Sequence, residues 1–407
     1  MINKEICSVN LCTGCGACMD VCPKQCIKLK PDSLGALHPI VDFQSCINCN
    51  LCVKTCPNNI NLEFHKSQTV YASWSLDNKV RLTSASGGLA FEFYRYWLCK
   101  GGVAAGVELD SKGFCQFIIL KNQSDLLKTQ NSKYTFSNTN GIYKIVKEYL
   151  EKDIPVLFIG TPCQVAGLYG FLKKKYSLLT TIDLICHGMP PGEYFQQHVS
   201  FVEKNNSKHK TKFICFRDPI YYTYTFTFTF TNEAGKSFYK KTVRSLDNYQ
   251  LGYHHALIYR NNCYVCRYAQ AKRISDITIG DFSGLGRFAP YTNEKRNVSC
   301  VLINTQQGRT LFNAIKQFVY FEERPSEEAF KIERQLQSPS VPHPKRNVFV
   351  KKFSETQDFE LASNAALRKD KLNVLLRKGL WKRDIRRLLA LIFPEKMIQL
   401  ILHKLRD

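Results

Sequence analysis

The chain has 407 residues, a formal net charge of +23, 44% hydrophobic and 22% charged residues, a balance that allows two or three packed domains and excludes a mainly disordered or collagen-like chain. No stretch approaches the roughly 18 apolar residues of a membrane span, and the opening MINKEICSVNLC lacks the apolar core of a secretion signal, so a cytoplasmic location is expected. In that reducing compartment the eighteen cysteines read as metal ligands or redox groups rather than disulfides.

The first elements are two cysteine blocks, Cys12, Cys15, Cys18, Cys22-Pro23 and Cys46, Cys49, Cys52, Cys56-Pro57, which are one motif written twice at an offset of 34 residues. Three thiolates two residues apart wrap one iron-sulfur cube, while the fourth, followed by proline, crosses to the other cube. The spacing therefore predicts one 4Fe-4S cluster on Cys12, Cys15, Cys18 and Cys56, and a second on Cys46, Cys49, Cys52 and Cys22. Gly14, Gly16 and Ala17 are expected to keep the first loop small beside the metal. Zinc ribbons rarely carry four cysteines per block in this cadence. The module covers residues 1–62 and resembles the bacterial two-cluster ferredoxin domain, which has an α+β fold and passes single electrons. Cys7, Cys26, Cys99, Cys115, Cys215 and Cys300 stand apart from the blocks and read as packed thiols.

Beyond it, residues 70–76 read as a strand, 83–88 (TSASGG) as a small-residue loop, and LAFEFYRYWL as a helix. Free amides at such a helix start favour an anion, although an ordinary helix cap explains the pattern equally. Residues 155–159 form a second strand, ending in Gly160-Thr161-Pro162-Cys163, followed by the helix-patterned VAGLYGFLKKKY. A third strand, LLTTIDLI, ends in Cys186-His187-Gly188. Strands alternating with helices indicate an α/β core with ligands at the carboxyl ends of the strands. Residues 222–231 (YTYTFTFTFT) read as one long strand that turns at 232–235 into a hairpin. Cys263-Tyr264-Val265-Cys266 comes next, then a strand ending at Asp281, and a strand, a turn at Gly308 and a helix that close the domain near residue 325.

Residues 326–407 read as a proline-punctuated linker and a helical tail. From Ala366 to Asp407 the tail holds twelve Lys or Arg against four Asp or Glu, with apolar faces in LLALIF and MIQLIL. Such a helix is suited to peripheral contact with an anionic membrane or to packing on protein. The remaining basic residues are dispersed and no nucleic-acid motif is present, so nucleic acid is not an expected partner. The positive surface suits an acidic electron carrier.

The motifs SASGG at 84–88, GTPCQVAGLYGFL at 160–172, DLICHG at 183–188, and CYVC at 263–266 followed by SDITIGDFSG resemble the coenzyme F420 hydrogenase/dehydrogenase beta-subunit family. The resemblance implies that residues 68–325 form an α/β flavin-binding module, with FAD between a hydride-exchanging substrate and single-electron clusters. It points to Ser86, Gly87, Gly88, Gly160, Thr161 and Asp281 as flavin contacts. For a third 4Fe-4S cluster the candidates are Cys163, Cys186, Cys263 and Cys266, with a redox-active Cys263-Cys266 pair, zinc and packed thiols as the competing readings. Lys272 and Arg273 are candidates for holding an anionic substrate, and His187 for donating a proton, each against a structural role; no catalytic residue is assigned. The expected function is an iron-sulfur flavoprotein oxidoreductase working with a ferredoxin-like or other redox partner on a small-molecule substrate, with a sugar in surface polysaccharide synthesis suggested by the family context. The alternative is a non-catalytic electron-transfer subunit docking on a partner enzyme.

Overall fold

The computed structural model describes residues 5–206, 209–243, 245–377 and Met397. The N-terminal domain contains the antiparallel hairpin β1 (Ile27–Pro31) and β2 (Leu37–Val41) and two single-turn helices, Ala17–Asp20 and Leu51–Thr55, each carrying cysteines of one block. The large domain is built on β3 (Thr69–Ser75), β4 (Val103–Leu109), β5 (Cys115–Leu120), β6 (Ser137–Asn138), β7 (Val156–Gly160) and β8 (Leu179–Leu184). After them β9 (Phe213–Cys215), β10 (Phe228–Thr231) and β11 (Ser237–Lys241) form a separate antiparallel sheet. The chain then returns to the main sheet with β12 (Ile277–Asp281), β13 (Ser299–Ile303) and β14 (Val319–Glu323).

The main sheet has the order β14-β3-β13-β12-β8-β7-β4-β5-β6. Strands β12, β8, β7 and β4 are mutually parallel, and antiparallel pairs flank them. Strand β7 (VLFIG) is buried at every position, the unbroken apolar run expected of a central parallel strand. The register aligns Gly160 with Asp183 and Asp281 with Ser299. The carboxyl ends of β7, β8 and β12, and the turn entering β13, therefore share one edge. Helix Pro162–Leu172 starts at that edge because Thr161 and Gln164 form a reciprocal capping box and Pro162 occupies the first turn.

Four expectations change. The strand expected over 222–231 survives only as Phe228–Thr231. Its first half forms two short 3-10 turns, because Asp218 accepts the Ile220 N–H, Arg217 donates to the Thr223 carbonyl, and Tyr222 and Phe226 adopt positive φ. Gly308 lies inside helix Gln306–Ile315 rather than in a turn; a Cβ there would stand 2.2 Å from the Asp276 carbonyl oxygen, so the residue is small for close packing. Strand β14 was not anticipated, and it pairs with β3 as the sheet edge.

The expected linker, finally, is packed: helices Arg346–Thr356 and Phe359–Ala366 bury Phe349, Phe353 and Phe359 around Tyr194. Helix Phe359–Ala366 is also held by charge, because His198 Nδ1 lies 2.6 Å from Glu360 and Nε2 lies 3.2 Å from Asp247, all inside the core. Burial alone would depress the imidazolium, but the two carboxylates outweigh it and lift His198 to about 10. Asp247 is held at about 2, burial being overcome by His198 and by the Gln250 N–H. The apolar faces LLALIF and MIQLIL of the tail lie outside the described residues, apart from the exposed Met397. Among the described residues no helix is long and apolar enough to cross a membrane.

Candidate functional site

The structure gathers twelve cysteines of the sequence reading into three cavities, and adds two more. The first, of about 330 Å³, is lined by Cys12, Cys15, Cys18 and Cys56, together with Cys7. The second, also about 330 Å³, is lined by Cys22, Cys46, Cys49 and Cys52, together with Cys26. Each cavity thus joins three cysteines of one block to the Pro-preceding cysteine of the other, the crossed arrangement the spacing predicts. Cys7 and Cys26 are not incidental, as their isolation in sequence implied. The Cys22 and Cys26 sulfurs lie 3.4 Å apart. Cys12 is drawn down to about 4, first by a hydrogen bond from Cys7 and further by His38, the Gly14 N–H and the Arg260 charge, against the effect of burial.

The two cavities differ in access. Around the second, residues 42–45 and 47–50 are exposed, including Phe43, Cys49 and Ile47, the last at 56%. The first is covered by the large domain. Arg260, 4% exposed, donates to the carbonyls of Thr13 and, at 3.3 Å, Leu37, while its guanidinium stacks over Phe136. Thr139 Oγ1 donates to the Cys15 carbonyl at 3.0 Å, and Arg267 to the Pro57 carbonyl at 2.9 Å. The glycines of the first loop serve this contact more than a metal. Gly14 and Gly16 have left-handed φ of 63° and 79°, and a Cβ would meet Arg260 at 2.8 Å and Thr139 at 2.5 Å.

The third cavity, about 670 Å³, lies at the carboxyl edge of the sheet and is lined by all four of Cys163, Cys186, Cys263 and Cys266. Cys163 opens the helix after β7, Cys186 follows β8, and the C-x-x-C sits on a 3-10 turn at Asn261–Val265. Burial raises all four thiols, Cys266 to about 12, with Arg260 opposing the rise at Cys163 and Cys263. Buried, protonated thiols converging from three loops are a ligand set for a soft metal or an iron-sulfur cluster, which binds by displacing the protons. The donor chemistry of all three cavities thus fits 4Fe-4S clusters, and Arg260 brings positive charge between the first and third, where a cubane with four thiolates would be anionic. The cavities adjoin: Thr13 lines the first and third, Cys15 packs in one apolar cluster with Cys163 and Cys266, and Cys18, Cys22, Cys52 and Cys56 pack together between the first and second.

The six residues expected to touch a flavin do not converge. Thr161 lines the third thiol cavity, where its hydroxyl lies 3.2 Å from the Cys163 sulfur. Ser86, Gly87 and Gly88 sit several strands away, at the edge formed by β3 and β13. Ser86 donates to the Val298 carbonyl, and Gly87 is small because a Cβ would stand 2.4 Å from the Ser73 carbonyl oxygen. Gly88 caps helix Leu89–Cys99 with a φ of 87°. Gly160 is buried against Phe158, Gln164 and Phe117, and Asp281 pairs with Arg217 at 2.7 Å. Arg273 is a structural residue, 2% exposed, paired with Asp183 and bonded to the Tyr268 and Gln270 carbonyls, whereas Lys272 is exposed. His187 lines the third thiol cavity with its side chain 51% exposed. Sequence reasoning missed Arg260 and Thr139, whose roles arise through space; the one local sign was an arginine three residues before Cys263.

Residues 154–329 match the family described as the C terminus of the coenzyme F420 hydrogenase/dehydrogenase beta subunit, and residues 11–60 match the 4Fe-4S dicluster domain. The chain is 26% identical over 196 residues to the F subunit of the F(420)H(2) dehydrogenase of Methanosarcina mazei, covering 45% of this chain and 55% of that protein. It is 25% identical over 195 residues to the coenzyme F420-dependent sulfite reductase of Methanocaldococcus jannaschii, covering 46% of this chain and 29% of that one. The matches thus span about half or less of these relatives' lengths. A chain of the F420-reducing NiFe hydrogenase complex from Methanosarcina barkeri superposes with a TM-score of 0.41 and 17% identity, covering 79% of this chain and 99% of that one. This chain therefore carries a coenzyme F420 hydrogenase/dehydrogenase beta-subunit domain behind a 4Fe-4S dicluster domain.

Proposed function

We propose that the chain is an iron-sulfur oxidoreductase subunit that carries single electrons between an external redox protein and a two-electron site at the carboxyl edge of the large sheet. The observation that carries this reading is the contiguous series of three thiol cavities, running from the exposed second set through the covered first set to Cys163, Cys186, Cys263 and Cys266. Bound 4Fe-4S clusters supply one-electron transfer. The chain's own residues hold each set of thiols at fixed places, exclude water from the inner two, and place Arg260 between them. Electrons enter or leave at the second set, whose loop is exposed.

Two-electron chemistry needs a converter, and FAD is the group proposed for it. The relatives' names, a dehydrogenase and a sulfite reductase working with reduced or oxidised coenzyme F420, support a hydride-level reaction, and the substrate class is an organic hydride donor or acceptor. The second reading is an electron-transfer adaptor without flavin; the spread of the six flavin candidates along the sheet edge favours it. Purification under strict anaerobiosis, addition of FAD and removal of the excess separates the two. The oxidoreductase reading expects about one tightly held flavin per chain, bleached by dithionite-reduced ferredoxin. Flavin that washes away entirely, while the iron stays reducible, overturns it in favour of the adaptor.

A further inference from the structure

Each ferredoxin-type cavity is lined by five thiols although a 4Fe-4S cluster uses four. The additional ones occupy matching places. Cys7 touches Cys12, the first cysteine of the local block, and Cys56, the cysteine arriving from the other block. Cys26 likewise touches Cys46 and, at 3.4 Å, Cys22. The internal repeat supplies a control, because the two are not repeats of each other: 34 residues on, Cys7 corresponds to Val41 and Cys26 to Ile60. An aliphatic side chain satisfies packing at those positions, so the thiols bring something packing does not require.

We propose that Cys7 and Cys26 are reserve ligands, each able to replace the cysteine that crosses from the other block, Cys56 in the first cluster and Cys22 in the second. This rests on the assignment of the eight block cysteines to two clusters. Three ligands of each cluster come from one tight loop, whereas the fourth arrives from a separate arm and is the one most exposed to relative motion of the two arms. A second thiol touching that sulfur and facing the same cavity supplies the same donor atom after a side-chain rotation. The exchange is a ligand substitution with no change of oxidation state: the incoming thiol releases its proton as its thiolate binds iron, and the departing thiolate takes one up.

The test uses the full chain, purified or reconstituted anaerobically, with iron analysis and electron paramagnetic resonance of the dithionite-reduced protein. Wild-type iron content first establishes that the clusters are present, which separates failure of this proposal from failure of the assignment beneath it. Cys56→Ala is then expected to keep the wild-type iron content, as is Cys7→Val, while Cys7→Val with Cys56→Ala loses about four irons per chain. Loss of four irons, or conversion to a three-iron signal, in Cys56→Ala alone overturns the proposal. The parallel set Cys22→Ala, Cys26→Ile and their combination gives the same reading if a variant of the first set does not fold.

Discussion

Arg260 joins the two domains at the point where the first and third thiol cavities meet, and Arg260→Met removes its charge while keeping most of its length. The guanidinium serves the carbonyls of Thr13, Leu37 and Cys12, the last two at 3.3 and 3.4 Å, and covers Phe136 at 4.6 Å. Hydrogen bonds from a charged donor contribute about 1.5–3 kcal/mol each, and a carbonyl left buried without a donor costs more than the bond contributed. Counting Thr13 and Leu37 fully and the longer Cys12 contact lightly, and allowing relaxation around the shorter side chain, the variant loses on the order of 3–4 kcal/mol of inter-domain stability. At about 1.4 kcal/mol per decade, local opening of the first loop becomes two to three decades more frequent. A chain with several cofactors and two domains has no single unfolding equilibrium, so amide hydrogen exchange is the suitable assay. Exchange across residues 12–18 and 136–141 should accelerate by about a hundredfold to a thousandfold, with β7 and β12 unchanged. Exchange in 12–18 that stays within threefold of wild type would refute the clamp.

Other perturbations probe separate links. His198 is lifted from its ordinary value to about 10 in the fold, so its contribution is complete below about pH 6.5 and is lost as pH rises towards 10, with an upper bound of about 5 kcal/mol. Urea midpoints of wild type should therefore fall between pH 6.5 and 9.5, while His198→Gln starts lower and changes little; parallel curves for the two proteins would contradict this. A Cβ on Gly167 would lie 3.0 Å from the Cys15 sulfur and 2.6 Å from the Tyr143 hydroxyl. Gly167→Val should accordingly displace the first loop and speed iron extraction by a chelator several-fold, and unchanged extraction kinetics would show that the loop does not depend on this close approach.

The ferredoxin-type cysteines were legible because their chemistry is local: a repeated loop carries three ligands within seven residues. Cys163, Cys186 and the Cys263-Cys266 pair were legible at one remove, since each follows a strand whose direction places its end at the same sheet edge. What escaped the sequence is set by contacts across the fold. The period-two pattern of 222–231 lost half its length to Arg217, which takes the Thr223 carbonyl and lies 4.1 Å from the Phe226 ring. Gly14, Gly16, Gly87 and Gly160 suggested ligand approach, yet their missing side chains make room for Arg260, Thr139, Ser73 and Phe158. The aromatic face of Phe349, Phe353 and Phe359 was hidden by the prolines before it, and Cys7 and Cys26 by their distance from either block.

Iron per chain in the anaerobically purified protein, compared between wild type and Cys263→Ser with Cys266→Ser, addresses the three-cavity wire most directly. The account predicts about twelve irons in the wild type and about eight in the double variant, with the electron paramagnetic resonance of the two ferredoxin-type clusters retained. Eight irons in both proteins would contradict it, leaving the third thiol cavity without a cluster and the wire ending at Cys12, Cys15, Cys18 and Cys56.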